Sequence, residues 1–320
     1  MTENINENEV KTEQPEEVKA PKMMAEKNVE DISKKQLTFK IISQVALYLF
    51  LTVMAVIVLF PFYWMLMSSV KTKAEYDLTV PTFWPTMGFR FATYIEAFNK
   101  IDFGRVFLNT ILVGVVSTIL SLLITILSAY AFARFNFKGK SILFAGMLAT
   151  MMIPGELFTI TNYITVVNSF KWADSAAGTF SALVIPFLVS VFYIYLLRQN
   201  FMQIPNELYL AAKIDGTSDF KYLWKVMVPL SAPTLISITI LKMMGAWNTY
   251  IWPDLILATS STPLELMTVA LRNAPWGEVG EIDYPVQMAA VVIATVPLLI
   301  VFLLFRKYII RGVSRSGTKG

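Results

Sequence analysis

Histidine and cysteine are both absent from the 320 residues of this chain. Without them, the usual zinc, haem and iron–sulfur ligand sets cannot be built, and Ser-His-Asp and Cys-His nucleophile systems are excluded. Charge is also scarce, because only 16% of the residues are charged while 55% are hydrophobic. A typical soluble domain carries about 25% charged residues. The composition therefore predicts a membrane protein with no cofactor and no bound metal.

Long apolar runs occupy most of the chain after residue 40. A helix that crosses a bilayer needs about 20 mostly apolar residues, and six segments meet this requirement. We therefore predict an all-α, polytopic membrane protein with six transmembrane helices. The predicted spans are residues 41–65, 107–130, 142–167, 180–197, 233–257 and 287–305.

Basic side chains are distributed unevenly between alternate loops. Most of the 27 Lys and Arg residues lie in four segments, namely 1–40, 131–141, 198–232 and 306–320. Few lie in the three alternate loops, 66–106, 168–179 and 258–286. Because cytoplasmic loops are enriched in Lys and Arg, we expect both termini and the 198–232 loop in the cytoplasm. The net charge of +4 then reflects membrane orientation, and we predict no binding to nucleic acid.

The N-terminal segment differs in composition from the rest. Residues 1–36 are rich in Glu, Lys and Asn and contain almost no aromatic residues. Such a segment cannot bury a core, so we predict a disordered cytoplasmic tail. It is not a secretory signal peptide, because a long acidic stretch precedes the first apolar run. Residues 37–320 then form the transmembrane domain.

A polar segment at about residues 205–225 has the pattern of two short helices joined by a tight turn. Pro205 is suited to the start of a helix, where its missing N–H group costs nothing, and Glu207 in the first turn favours the helix dipole. Gly216, which follows Asp215, can adopt a positive φ and end the first helix. Thr217 or Ser218 can cap the second. Phe220, Leu223, Trp224 and Met227 then form an apolar stripe at helical spacing. From these residues alone, an ordinary amphipathic hairpin is an equally good interpretation.

This hairpin resembles the EAA motif of binding-protein-dependent ABC importer permeases. Ala211-Ala212 and Gly216 match that motif, and Val228-Pro229 nearly matches its end. The chain departs from the motif at Leu210, where the family has Glu. The resemblance implies that Glu207, Ala211, Ala212, Asp215, Gly216 and Pro229 belong to a loop that couples the permease to its ATP-binding subunits.

Further matches in order along residues 40–320 point to the maltose-type, carbohydrate-uptake branch of this family. The similar segments are Phe107–Thr110, Tyr130–Lys140, Trp247–Pro253 and Thr318–Gly320. The resemblance implies a permease that hydrolyses nothing itself and lies in the bacterial cell membrane, in contact with membrane lipid. Its implied partners are a second homologous permease, two ATP-binding subunits, an extracytoplasmic solute-binding protein and a carbohydrate substrate.

Three charged residues fall within predicted spans, namely Glu156, Lys242 and Asp254, and Asp254 is expected near the outer interface. A charge in a span costs about 2.5–3.5 kcal/mol on insertion scales, so Glu156 and Lys242 are expected to face a cavity or a partner. Counting at about 1.5 Å per residue places them at similar depths, so they can form a pair. Pro154-Gly155 is expected to break the third span. The alternative for each charged residue is a position at the membrane boundary.

Three polar or aromatic residues of the fifth span can line a sugar path, because aromatic faces and amides suit hydroxylated ligands. They are Trp247, Asn248 and Tyr250, and packing between helices is the alternative role. Two other classes of protein fit the composition. An ion-coupled secondary transporter would use Glu156 and Lys242 as coupling groups, and an integral-membrane enzyme would need a carboxylate cluster that the spans do not supply.

Overall fold

The computed structural model describes residues 22–277 and 281–314, and every regular element in these ranges is helical. Short 3₁₀ turns occupy Gly155–Phe158, Trp172–Asp174 and Ile185–Phe187, and π-helical turns occupy Thr165–Ser169 and Leu223–Met227. The α-helices are α1 Lys22–Ser69, α2 Lys73–Tyr76, α3 Ala92–Lys100, α4 Phe103–Arg134, α5 Lys140–Thr150, α6 Thr159–Ile164, α7 Ala176–Val184, α8 Val191–Met202, α9 Asn206–Ile214, α10 Asp219–Tyr222, α11 Val228–Leu230, α12 Ala232–Asn248, α13 Ile251–Thr259, α14 Met267–Asn273 and α15 Tyr284–Ser314.

Three helices are each long and apolar enough to cross a membrane, namely Phe39–Ser69, Phe103–Arg134 and Tyr284–Lys307. Three further helix pairs meet this test only together, and each is bent at a short break. The pairs are Lys140–Thr150 with Gly155–Ser169 at 88°, Ala176–Phe187 with Val191–Met202 at 51°, and Asp219–Leu230 with Ala232–Asn248 at 80°. The described chain therefore has up to six crossings, and the prediction of an all-α polytopic membrane protein is confirmed.

Proline positions explain two of the helix breaks. The predicted break at Pro154-Gly155 is confirmed, because α5 ends at Thr150 and a 3₁₀ turn begins at Gly155. The predicted fifth span, 233–257, is wrong at its end, since α12 stops at Asn248 and α13 starts separately at Ile251. A continuous helix would place Pro253 in its interior, where the ring collides with the carbonyl group four residues earlier. Restarting at Ile251 puts Pro253 in the first turn, where proline is tolerated.

The first of two compact units ends at Tyr63. Its helix α1 begins at Lys22, which differs from the disorder predicted for residues 22–36. The composition argued only that this segment cannot bury a core, whereas a helical extension of an apolar span needs only its own backbone hydrogen bonds. The rest of the predicted tail, residues 1–21, lies outside the described residues. Between Phe39 and Phe62 the side chains are exposed in the single chain, as expected for a helix surrounded by lipid.

The second unit, from Trp64 onwards, is built around α4. This helix packs against α8 and α12, and α12 in turn packs against α15. One apolar cluster joins α3, α4, α12 and α15 and includes Ala97, Val106, Trp247 and Ala290. Another, with Val113, Ala182, Trp252 and Ile256, joins α4, α7 and α13. The remaining one, the hairpin cluster, comprises Ile126, Ala129, Tyr130, Leu197, Phe201, Tyr222, Leu223, Met227 and Ile238.

Candidate coupling hairpin and membrane cavity

The polar segment 205–225 forms a helical hairpin. Pro205 precedes α9 at its N-cap position with φ −53°, and Glu207 lies exposed in the first turn of that helix. Asp215, which is also exposed, follows the last residue of α9. The predicted start and end of the first helix are therefore confirmed.

The turn of the hairpin is a Schellman motif that requires a left-handed residue. Gly216 has φ +69°, and its N–H group donates to the Lys213 carbonyl oxygen at 3.1 Å. The N–H group of Thr217 donates to the Ala212 carbonyl oxygen at 2.9 Å. The second helix is capped by Ser218, whose Oγ accepts from the Lys221 N–H at 3.4 Å. The prediction that Gly216 ends one helix and that Thr217 or Ser218 caps the next is confirmed.

An aspartate that the sequence reasoning missed ties the hairpin to α4. The Asp219 Oδ1 atom accepts hydrogen bonds from the Tyr209 hydroxyl at 2.8 Å and from the Tyr130 hydroxyl at 3.1 Å. Its Oδ2 atom lies 2.8 Å from the Lys213 ammonium. The hydrogen bond to Asp219 raises the pKa of Lys213. A single carboxylate thus connects α4, α9 and α10. The position of Asp219 directly after the Ser218 cap marks the start of α10 but does not indicate the contact with Tyr130.

Arg134, at the end of α4, binds the segment that connects α8 to the hairpin. Its guanidinium donates to the Ile204 carbonyl oxygen at 2.8 Å and to the Phe201 carbonyl oxygen at 3.3 Å. It also donates to the Asn206 Oδ1 at 3.3 Å. Carbonyl groups at a helix end lack partners within the helix, so Arg134 satisfies the Ile204 carbonyl group between α8 and α9 and adds a second donor to the Phe201 carbonyl group in the last turn of α8. The hairpin base is therefore fixed by polar contacts as well as by the hairpin cluster.

The two faces of the hairpin differ in burial. Leu223 and Met227 are buried in the hairpin cluster, as the apolar stripe predicted, but Phe220 of the same stripe is 66% exposed. Leu210 is 53% exposed and Ile214 is 86% exposed. The hairpin therefore exposes several apolar side chains, and we call the three most exposed, Leu210, Ile214 and Phe220, the outer apolar face.

The motif alanines and proline occupy distinct environments. Ala211 is exposed, whereas Ala212 is half-buried against the hairpin cluster. Pro229 is exposed in α11, directly after a π-helical turn at Leu223–Met227. Proline cannot donate a backbone hydrogen bond and crowds the preceding turn, which accounts for the wider turn there.

A cavity of about 400 Å³ lies among α4, α7, α8 and α12. Phe187, Tyr193 and Trp252 line it, and the ammonium of Lys242 donates to the Phe187 carbonyl oxygen at 2.7 Å. Lys242 is thus placed at a cavity, as expected for a charge within a span. The Phe187 carbonyl belongs to the break between the two halves of the fourth span.

The other predicted path residues do not line this cavity. Trp247 is buried and its ring packs edge-to-face on Phe107 at 5.5 Å, which corresponds to the packing alternative. The exposed Asn248 donates to the Met244 carbonyl oxygen at 2.9 Å, and the Tyr250 hydroxyl donates to the Asp254 carboxylate at 3.3 Å.

Glu156 is exposed in the 3₁₀ turn Gly155–Phe158. Within the described residues, no ion pair joins Glu156 to Lys242, so the pair that their similar counted depths allowed is not formed. The 88° bend of the third span carries Glu156 away from the position that counting along a straight helix assigned to it.

Loops on the other side of the predicted membrane are joined by ion pairs. Arg90 lies 2.6 Å from the Glu96 carboxylate and 3.2 Å from the Asp283 carboxylate, and Lys73 pairs with Glu281. These contacts link the loop before α3 with the loop before α15. They make one connected surface from described parts of segments 66–106 and 258–286.

Comparisons with known proteins agree with this architecture. The model of the family described as "Binding-protein-dependent transport system inner membrane component" matches residues 121–315. The sulfoquinovosyl glycerol transport system permease protein SmoH of Agrobacterium fabrum is 33% identical over 82% of this chain and 89% of its own length. The arabinooligosaccharides transport system permease protein AraQ of Bacillus subtilis is 28% identical over 87% of this chain and 96% of its own.

Similarity extends to a solved structure. A chain in the crystal structure of a bacterial ABC transporter that imports the acidic polysaccharide alginate matches with a TM-score of 0.71. The match covers 83% of this chain and 96% of that chain at 24% identity, and it shows a common fold. With the family match and the apolar helices, it identifies a multi-pass protein of the bacterial inner membrane. The chain belongs to the family of binding-protein-dependent transport system inner membrane components, as a permease subunit of an ABC importer.

Proposed function

We propose that this chain forms half of the translocation pathway of an ATP-driven importer for a carbohydrate. The two relatives named above support the substrate class, because their names give arabinooligosaccharides and sulfoquinovosyl glycerol as the transported compounds. The pathway is completed by a second, homologous permease, and a solute-binding protein delivers the substrate from outside. The connected surface of loops 66–106 and 258–286 is the proposed contact with that protein.

The observation that carries the proposal is the hairpin at residues 205–225. Its base is fixed to α4 through Asp219 and Arg134, while Leu210, Ile214 and Phe220 are exposed on its outer face. A segment that transmits movement from an ATP-binding subunit needs both properties. It must be rigidly attached to the membrane helices, and it must present an exposed surface for the contact. We propose that two ATP-binding subunits engage the two permeases at such hairpins and that they, not this chain, hydrolyse ATP.

Individual motif residues have separate proposed roles in this contact. Glu207, Ala211 and Asp215 are exposed and form the docking surface together with the outer apolar face. Ala212 and Gly216 shape the hairpin, and Pro229 sets the passage into the fifth span. The hairpin then lies in the cytoplasm with both termini, as the basic loops predict.

Replacing Ala211 by Trp tests the docking role without disturbing the core. Because Ala211 is exposed, the bulky ring should not unfold the chain but should keep an ATP-binding subunit from close approach. We expect the purified Ala211→Trp complex to lose ATP-binding subunits and substrate-stimulated ATPase activity. The matched control is Ala176→Trp, an exposed alanine at the start of α7, which should retain both.

Normal subunit retention and normal coupled ATPase activity in Ala211→Trp would refute the docking surface. Transport that continues without ATP would instead favour an ion-coupled secondary transporter. Uptake in proteoliposomes with and without internal ATP distinguishes the two mechanisms.

A further inference from the structure

The residues that line the cavity around Lys242 favour a charged ligand. Within the described parts of the chain, 22–277 and 281–314, Lys242 is the only charged side chain that lines it. The remaining lining is apolar, aromatic or hydroxylic, with Phe187, Tyr193 and Trp252 as its rings. A mostly apolar pocket with a few polar groups is the usual form of a small-molecule site, and about 400 Å³ falls within the usual size range.

The ammonium of Lys242 is only partly satisfied. An ammonium group offers three donors and carries a full charge, and the structure gives it one hydrogen bond, to the neutral Phe187 carbonyl oxygen at 2.7 Å. A carbonyl oxygen satisfies a donor but does not neutralise the charge. An unneutralised charge within a membrane span is unfavourable, so an anionic ligand group in the cavity would be strongly preferred over a neutral one.

A second feature of the cavity adds to the positive electrostatic potential that Lys242 creates there. Helix α8 starts at its edge, where Val189 and Ser190 line the cavity. Ser190 caps this helix of 12 residues by accepting from the Tyr193 N–H at 3.4 Å. The amino-terminal end of a helix carries partial positive charge. The cavity therefore combines one full and one partial positive charge without an opposing carboxylate among its described lining residues.

From this arrangement we propose that Lys242 binds an acidic group of the transported solute, which makes the substrate an anionic saccharide. The aromatic rings of Phe187, Tyr193 and Trp252 contact the apolar faces of the sugar, and the ammonium contacts its carboxylate, sulfonate or phosphate. The proposal rests on the carbohydrate function proposed above and narrows it to acidic sugars.

The test uses the complete transport complex in proteoliposomes with its solute-binding protein. Trigalacturonate and maltotriose serve as acidic and neutral probes of matched length, and ATPase stimulation and uptake are measured for each. We expect trigalacturonate, and not maltotriose, to stimulate the wild-type complex. In Lys242→Met the trigalacturonate concentration for half-maximal stimulation should rise about tenfold, the effect of losing one charge-assisted contact. Lys242→Arg should stay close to wild type.

Lys138→Met, which removes an exposed lysine in the turn between α4 and α5, is the matched control and should behave as wild type. Stimulation by maltotriose in the wild-type complex, or an unchanged trigalacturonate response in Lys242→Met, would overturn the proposal while leaving the carbohydrate function intact. An equal loss for both probes would show that Lys242 only stabilises the helix break at Phe187. Stimulation by neither saccharide, together with stimulation by a neutral arabinooligosaccharide, would overturn the choice of an acidic sugar and leave the carbohydrate function intact.

Discussion

Gly216 offers the sharpest test of how the hairpin is built. The residue has φ +69°, and a Cβ atom placed on it would meet no atom within 4 Å. Any cost of Gly216→Ala is therefore a backbone cost, since there is nothing for the methyl group to collide with. An L-residue in the left-handed region costs about 1–2 kcal/mol. Part of this cost is offset, because alanine lowers the conformational entropy of the unfolded chain. That effect raises the free energy of unfolding by about 0.4–1 kcal/mol.

The net destabilisation of the hairpin is then about 1 kcal/mol, which corresponds to roughly a fivefold larger open population. Hydrogen exchange of the purified complex in detergent measures this population. The reporter is the Thr217 N–H group, which donates to the Ala212 carbonyl oxygen at 2.9 Å only while the Schellman motif is closed. We expect it to exchange about five times faster in Gly216→Ala, with a parallel loss of coupling between ATPase activity and uptake.

Two variants serve as controls for Gly216→Ala. Asparagine tolerates the left-handed region better than alanine, so Gly216→Asn should exchange more slowly than Gly216→Ala. Gly146, inside α5, also has open space around it and no positive φ, so Gly146→Ala should stabilise its helix by about 0.5–1 kcal/mol. A Thr217 exchange rate that is unchanged in Gly216→Ala would refute the argument that the turn depends on a left-handed glycine.

Two further predictions concern carboxylates that hold loops in place. Asp219→Asn should accelerate hydrogen exchange throughout α9 without lowering expression. The substitution removes the charge that pairs with Lys213 and that accepts hydrogen bonds from the Tyr130 and Tyr209 hydroxyl groups. An unchanged exchange pattern would show that the hairpin cluster alone holds the hairpin in place. Burial opposes ionisation of Glu75, but hydrogen bonds from Thr86, Thr82 and Met87 outweigh it and lower the pKa to about 2. Because the folded pKa is below the ordinary value of 4.5, this carboxylate stabilises the loop fully above about pH 4.5 and loses that effect as the pH falls towards 2. Limited proteolysis of segment 77–91 against pH should show this transition in the wild type and lose it in Glu75→Gln, and an identical pH profile in the two proteins would contradict the assignment.

Much of the hairpin could be predicted from the sequence because its signals are local. Pro205, Gly216 and Ser218 each act through their own backbone geometry or through a residue three positions away, so their roles do not depend on the rest of the fold. The six apolar spans and the break at Pro154-Gly155 are local in the same sense. The order of the EAA-like residues along the chain supplied the family, which the comparisons then confirmed.

Tertiary structure decided the features that join distant segments. Asp219 contacts Tyr130, which lies 89 residues away in the sequence, and no sequence pattern near either residue predicts that contact. Phe220 shares a helical stripe with Leu223 and Met227 but is exposed, so helical spacing alone did not decide which residues of the stripe are buried. The separation of Glu156 from Lys242 follows from the 88° bend of the third span, since depth counted along a straight helix loses its meaning once the helix turns. The same packing encloses Lys242 with Phe187 and Trp252, so the sequence determined that a charge lies within the membrane, and only the fold decided what surrounds it.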